Sequence, residues 1–130
     1  MTEKPSEIIK KANTTVSKMK YGVEKTVYSK QGLVTIKVKT TDDPKKAVIY
    51  LVFPKSAEWS TTGEKHNEEL EDRLLDYFYD NKIKYSGINN VDWAEVPIDQ
   101  LDKVISDIKN IVEKYLSELK QTAEKIESLA

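Results

Sequence analysis

Apolar positions along this chain repeat with two different periods. From Ile98 onward, Ile98, Leu101, Ile105, Ile108, Val112, Tyr115, Leu119, Thr122, Ile126 and Leu129 follow one another in alternating steps of three and four. That is a heptad, the spacing that holds one seam of a helix toward a partner helix. It predicts a long helix over residues 99–128, with Asp99 as N-cap directly after Pro97. Such a helix is about 45 Å long at 1.5 Å per residue, whereas a compact chain of this size has a radius of gyration of about 14 Å. Val104 and Ile111 at g and Leu116 and Ala123 at e widen the stripe, so the first half of the helix is expected to lie on the protein's own core. The second half, from Leu119, is narrower and charged. An overhanging stripe needs cover, and the expected cover is a second copy, with Tyr115, Leu119, Ile126 and Leu129 as the seam of a homodimer.

The preceding residues combine helical and alternating patterns. Ser6 is placed to cap a helix over 6–20, with Ile8, Ile9, Ala12, Val16 and Met19 at helical spacing and Gly22 ending it. Residues 23–53 read as a three-stranded antiparallel meander, with Ser29 to Gly32 and Thr40 to Lys46 as its turns. In the middle strand Val34, Ile36 and Val38 alternate with Thr35, Lys37 and Lys39, so one face is buried and the other wet. The third strand is apolar on both faces, with Val48, Tyr50 and Val52 on one and Ile49, Leu51 and Phe53 on the other. This suggests a central strand or helices on both sides. A helix over 64–81 follows, with Leu70, Leu74, Tyr77 and Phe78 as its stripe, and one or two short strands lie within 83–96. The fold class is α+β: an antiparallel sheet of three to five strands with an N-terminal helix, a middle helix and a long C-terminal helix, in a single domain over 1–130.

Charge changes this picture in one respect. The formal net charge is −1 from 21 basic and 22 acidic residues. Residues 1–55 carry an excess of seven positive charges and residues 56–130 an excess of eight negative ones. The asymmetry fits a basic surface for nucleic acid, an acidic surface for a basic partner, or neutralisation within the fold or across a dimer. Arg73 is the only arginine, which argues against bidentate reading of phosphate or guanine. The chain has no cysteine, so disulfides, thiolate metal sites and cysteine nucleophiles are excluded. Residues 1–11 contain no apolar run of signal-peptide kind, and the longest apolar run, Ala47 to Phe53, is too short to span a bilayer. The expectation is a cytoplasmic protein with no membrane attachment.

Candidate chemistry is sparse. Glu68, Asp72, Asp76 and Asp80 stand at successive i, i+4 steps and give the middle helix an acidic edge, a candidate surface for a basic partner. Like charges at that spacing repel by a few tenths of a kcal/mol per pair, and a linear stripe does not converge as a hard-cation site must. No metal is expected there. His66 is the only histidine and accompanies no nucleophile motif. No phosphate-binding glycine motif occurs, so no cofactor is expected and the chain is read as non-enzymatic. Lys25, Lys37 and Lys39, near Tyr28, are a candidate nucleic-acid face on the meander. Trp59, in a polar loop, is either a plug over the core or an anchor for a partner.

The order helix, three strands, helix over residues 6–81 is similar to that of a double-stranded RNA binding module. Glu64, Glu68 and Glu69 stand where that module has a lysine cluster, and they would repel phosphate. The whole order is loosely similar to that of small acidic dimeric chaperones of bacterial secretion systems, with no residue motif to carry the family. The expected function is therefore a small protein-interaction module, an adaptor or chaperone-like homodimer. The alternatives are nucleic-acid binding through the lysine face, or small-molecule binding in a pocket between sheet and long helix lined by Tyr50, Tyr85 and Trp93.

Overall fold

A computed structural model of the chain describes residues 3–14, 22–30, 33–53, 61–88 and 91–129. Its elements are α1 (Pro5–Ala12), β1 (Glu24–Lys30), β2 (Val34–Thr40), β3 (Lys46–Val52), α2 (Thr61–Asp80), β4 (Lys84–Ile88), β5 (Val91–Pro97) and α3 (Ile98–Ser128). The fold is α+β, built on a five-stranded antiparallel sheet in the order β1-β2-β3-β5-β4. Where one or two short strands are expected within 83–96, two form and extend the sheet, with β5 inserted beside β3. The C-terminal half of the first expected helix, residues 15–20, lies outside the described residues.

Side-chain parity divides the sheet into two unlike faces. Opposed residues of an antiparallel ladder share a face, so the register Val38–Ile49–Ala94–Tyr85 and the neighbouring row Thr40–Ala47–Val96 define one of them. Their core members Val38, Ile49, Ala94, Ala47 and Val96 are fully buried. They join Ile9 of α1, Leu70, Leu74 and Phe78 of α2 and Leu101, Ile105, Ile108, Val112 and Tyr115 of α3 in one hydrophobic cluster. All three described helices therefore cover the same side of the sheet. β3 is indeed central, but its second apolar face is met by no described helix.

Helix ends differ from expectation in instructive ways. Pro5 occupies the first turn of α1 behind Lys4, and Ser6 lies inside the helix. Its backbone N–H donates to Asp102 Oδ1 at 2.8 Å and its hydroxyl to Asp102 Oδ2 at 2.5 Å, so a carboxylate of α3 serves the free N–H that Ser6 was expected to precede. Pro97 rather than Asp99 takes the N-cap position of α3, leaving Asp99 in the first turn where its charge favours the helix dipole. α2 ends without glycine. Lys82 adopts φ 56° while Ile83 N donates to Phe78 O at 2.9 Å and Lys82 N to Tyr79 O at 3.1 Å. This pair of bonds is the Schellman closure, with lysine where glycine is usual.

The long helix is sheltered further than its length suggested. Tyr115 is buried, its hydroxyl donating to Glu69 Oε2 at 3.1 Å beneath the Arg73 guanidinium, which sits 4.7 Å from the ring. Arg73 clasps Glu118 with two bonds of 2.6 and 3.1 Å, tying α2 to α3. Leu119 packs partly against the core as well. The expected dimer seam thus loses two of its four residues to the protein's own interior: the e and g positions made the stripe wide enough for α2 and the sheet to hold it. Beyond Leu119 the helix is exposed on every side, with Ile126 at 64 % and Leu129 at 83 %.

Replacing Lys82 by glycine relieves the left-handed backbone of a residue with a Cβ. The expected gain is about 0.5–1 kcal/mol, or a rise of roughly 2–5 °C in Tm by calorimetry. An unchanged or lower Tm contradicts the assigned cap.

Candidate functional site

The face of the sheet that no described helix covers, hereafter the uncovered face, carries three rows set by strand register. The first runs Thr35–Val52–Val91 and the second Thr26–Lys37–Tyr50–Trp93–Ser86. The third runs Glu24–Lys39–Val48–Glu95–Lys84. Val48, Tyr50, Val52, Val91 and Trp93 form an apolar centre over β3 and β5, and none of them belongs to the core cluster or packs against it. Val91 is 37 % exposed, and the other four are half-buried. The rim is charged. Lys37 pairs with Glu24 at 3.7 Å and Lys46 with Glu95 at 3.3 Å, while Lys39 Nζ lies 6.0 Å from the centre of the Tyr50 ring.

This geometry separates residues that were expected together. Lys37 and Lys39 share the uncovered face, but Lys25 pairs with Val38 and so belongs to the helix side, where it borders a hollow with Glu3, Ile8 and Lys109. A register shift between Thr26 and Tyr28 turns Tyr28 to that side too. There it donates to Glu113 and lies under Lys109, 5.6 Å from its ring centre. Tyr50 and Trp93 stand side by side on the uncovered face, whereas Tyr85 packs beside Phe78 on the other, 5.9 Å between ring centres. These three do not line a common pocket, because the space between sheet and α3 is filled by the core. Trp59 and the side chain of His66 lie outside the described residues.

The acidic edge of α2 forms as expected: Glu68, Asp72, Asp76 and Asp80 are all exposed. None of them takes part in an ion pair among the described residues. Asp76 and Asp80 border a shallow hollow with Arg73, Tyr77 and Lys114. Among the described residues no group of three or more His, Cys, Asp or Glu side chains is arranged to hold a metal ion. No described helix is long and apolar enough to cross a membrane. The charge split between the halves is partly neutralised within the fold, since Lys30–Glu113 and Lys46–Glu95 join the basic half to the acidic one.

A second feature lies on the helix side and was not singled out in the sequence. Asp92 of β5 is 2 % exposed, and no N–H or hydroxyl donor among the described residues reaches its Oδ2. Its neighbour across the ladder is Gly87, where a Cβ would stand 1.9 Å from Asp92 Oδ1, so only glycine leaves room for this carboxylate. The group that meets it is another carboxyl, Glu71 of α2. The hydrogen bond to Asp92, then burial and then the charges of Asp92 and Asp72, push the Glu71 pKa up to about 7. Two carboxyls that share a site hold one proton between them. The parity Asp92, Ala94, Val96 was the available signal, because it sets an acid on an otherwise apolar inward row.

Compared with protein-family models, with curated proteins and with solved structures, the chain matches none.

The proton on Glu71 links stability to pH. With the folded pKa raised above the ordinary carboxylate value, the contribution is complete below about pH 4.5 and is lost as pH rises through about 7. After discounting for solvent screening at this half-exposed group, it amounts to about 1 kcal/mol. Glu71→Gln is expected to raise Tm at pH 8 by roughly 3 °C and to flatten the Tm profile between pH 5 and pH 8. A variant whose profile keeps the wild-type slope contradicts the shared proton.

Proposed function

We propose that the chain is a non-enzymatic protein-interaction module that works as a homodimer, with the uncovered face of the sheet as its contact surface. The observation that carries this reading is the apolar centre Val48, Tyr50, Val52, Val91 and Trp93, set in a charged rim on the side that no described helix covers. Large aromatic side chains at the middle of a patch, with ionic groups around it, have the composition of an interface core and rim. The end of α3 is a weaker candidate than the heptad implied. Its unsheltered apolar side chains are Ala123, Ile126 and Leu129, spread along the last turns of the helix.

A second reading, single-stranded nucleic-acid binding, is favoured by the placement of Lys37 and Lys39 beside Tyr50 and Trp93, since lysines attract phosphates and aromatic rings stack on bases. Glu24 and Glu95 on the same face oppose it. Light scattering is expected to give a dimeric mass at micromolar concentration and a monomeric mass for Trp93→Glu, with the circular dichroism of the two proteins alike. Removing residues 120–130 is expected to leave the dimer intact. A wild-type monomer, or a dimer lost on that truncation and kept by Trp93→Glu, contradicts the reading. Retardation of a single-stranded oligonucleotide at low salt, abolished by Lys37→Glu, is the result that supports the alternative.

A further inference from the structure

We infer that the occupant of the uncovered sheet face is a second copy of this chain, stacked sheet on sheet about a two-fold axis that runs along β3. The inference rests on the interaction reading above and adds to it a register. It comes from the order of charges in the third row, which across the sheet is Glu24, Lys39, Val48, Glu95, Lys84. Reading outward from Val48, one flank is positive then negative and the other is negative then positive.

A two-fold axis lying between two facing sheets, parallel to their strands and above β3, exchanges the flanks. β2 of one copy then lies over β5 of the other, and β1 over β4. Lys39 meets Glu95 and Glu24 meets Lys84, each twice. In the second row the same operation sets Lys37 over Trp93, a cation on an aromatic face, and Tyr50 against its own counterpart. An isologous contact requires this kind of self-complementarity. Nucleic acid would meet two carboxylates in the same row, and an unrelated protein would not call for a mirrored order of charges.

The dimensions agree. Packed sheets stand about 10 Å apart, and adjacent strands about 4.8 Å. Aligned sheets cross at about −30°, which displaces Lys39 from Glu95 by only about 2 Å along the strand, within the reach of a lysine stem. Five strands of five to seven residues offer a face of roughly 20 by 20 Å. Covering it on both copies removes on the order of 1,000 Å² from water, the threshold for a specific interface. Within one copy neither Lys39 nor Lys84 has an ion-pair partner among the described residues, whereas Glu24 and Glu95 are each held by one lysine. The unmatched lysines of one copy are thus supplied by the carboxylates of the other.

Charge reversal tests the register with the full chain. Lys39→Glu and Glu95→Lys are each expected to weaken the dimer about tenfold by sedimentation equilibrium, and the double reversal to restore it to within about threefold of wild type. All three variants alter half-buried positions outside the core cluster, and their Tm values serve as the check on folding. A double variant that dimerises no better than the weaker single one overturns the inference, as does a dimer indifferent to both single changes. If Trp93→Glu dissociates the dimer while the reversals do not pair, this register is wrong and the interaction reading stands. A wild-type chain that is monomeric throughout overturns both, and binding of a single-stranded oligonucleotide at the same face by that monomer assigns the face to nucleic acid.

Discussion

β3 is apolar on both of its faces, and one layer of helices can cover only one of them. The rest of the molecule follows from that imbalance. Ile49 and Leu51 draw α1, α2 and α3 to one side and build a single cluster with them. Val48, Tyr50 and Val52 are left on the other, where the neighbours that alternation provides are Lys37, Lys39, Trp93 and Glu95. Burying five such side chains yields about 1 kcal/mol or more apiece, depending on the area covered. Apolar patches with a charged rim are a feature of interaction surfaces, which is the basis of the proposed dimer.

The covered side is held by a few polar clasps as well as by apolar packing. Asp102 receives the first turn of α1, and Arg73 with Glu118 and Tyr115 with Glu69 bind α2 to α3. These bonds lie at the margins of the core, where water competes, and they fix orientation more than they add stability. The carboxyl pair of Glu71 and Asp92 is the exception. It stands on an inward row and rests on a proton rather than on a counter-ion. The covered side is therefore expected to loosen as pH rises through neutrality.

How much of this was legible in the sequence depends on the kind of signal. Alternation in residues 33–39 and 47–53 gave the strands and their two faces, and the heptad gave α3 nearly to the residue. What periodicity cannot supply is which neighbour meets a given face. The heptad alone reads as a seam for a second copy, yet Tyr115 and Leu119 pack into the protein's own core, because the e and g residues make a stripe broad enough for an intramolecular fit. The grouping of Lys25 with Lys37 and Lys39 counted strictly by twos through β1. The register shift near Val27 and the pairing of Lys25 with Val38 send it to the opposite face. The cap of α2 was hidden because its left-handed residue is lysine. The pair Glu71 and Asp92 was hidden because it joins residues of a helix and a strand with another strand between them in sequence. The charge order Glu24, Lys39, Glu95, Lys84 needs the pairing of all five strands before it can be read at all.

The most direct test of the unequal faces is cross-linking, which the absence of cysteine from the chain makes clean. A single cysteine introduced by Val48→Cys sits beside the proposed two-fold axis, and one introduced by Asp72→Cys sits on the exposed edge of α2, on the helix side. With a short bismaleimide the account predicts a covalent dimer from the first variant and monomer from the second. Cross-linking through α2 with none through β3 would contradict it.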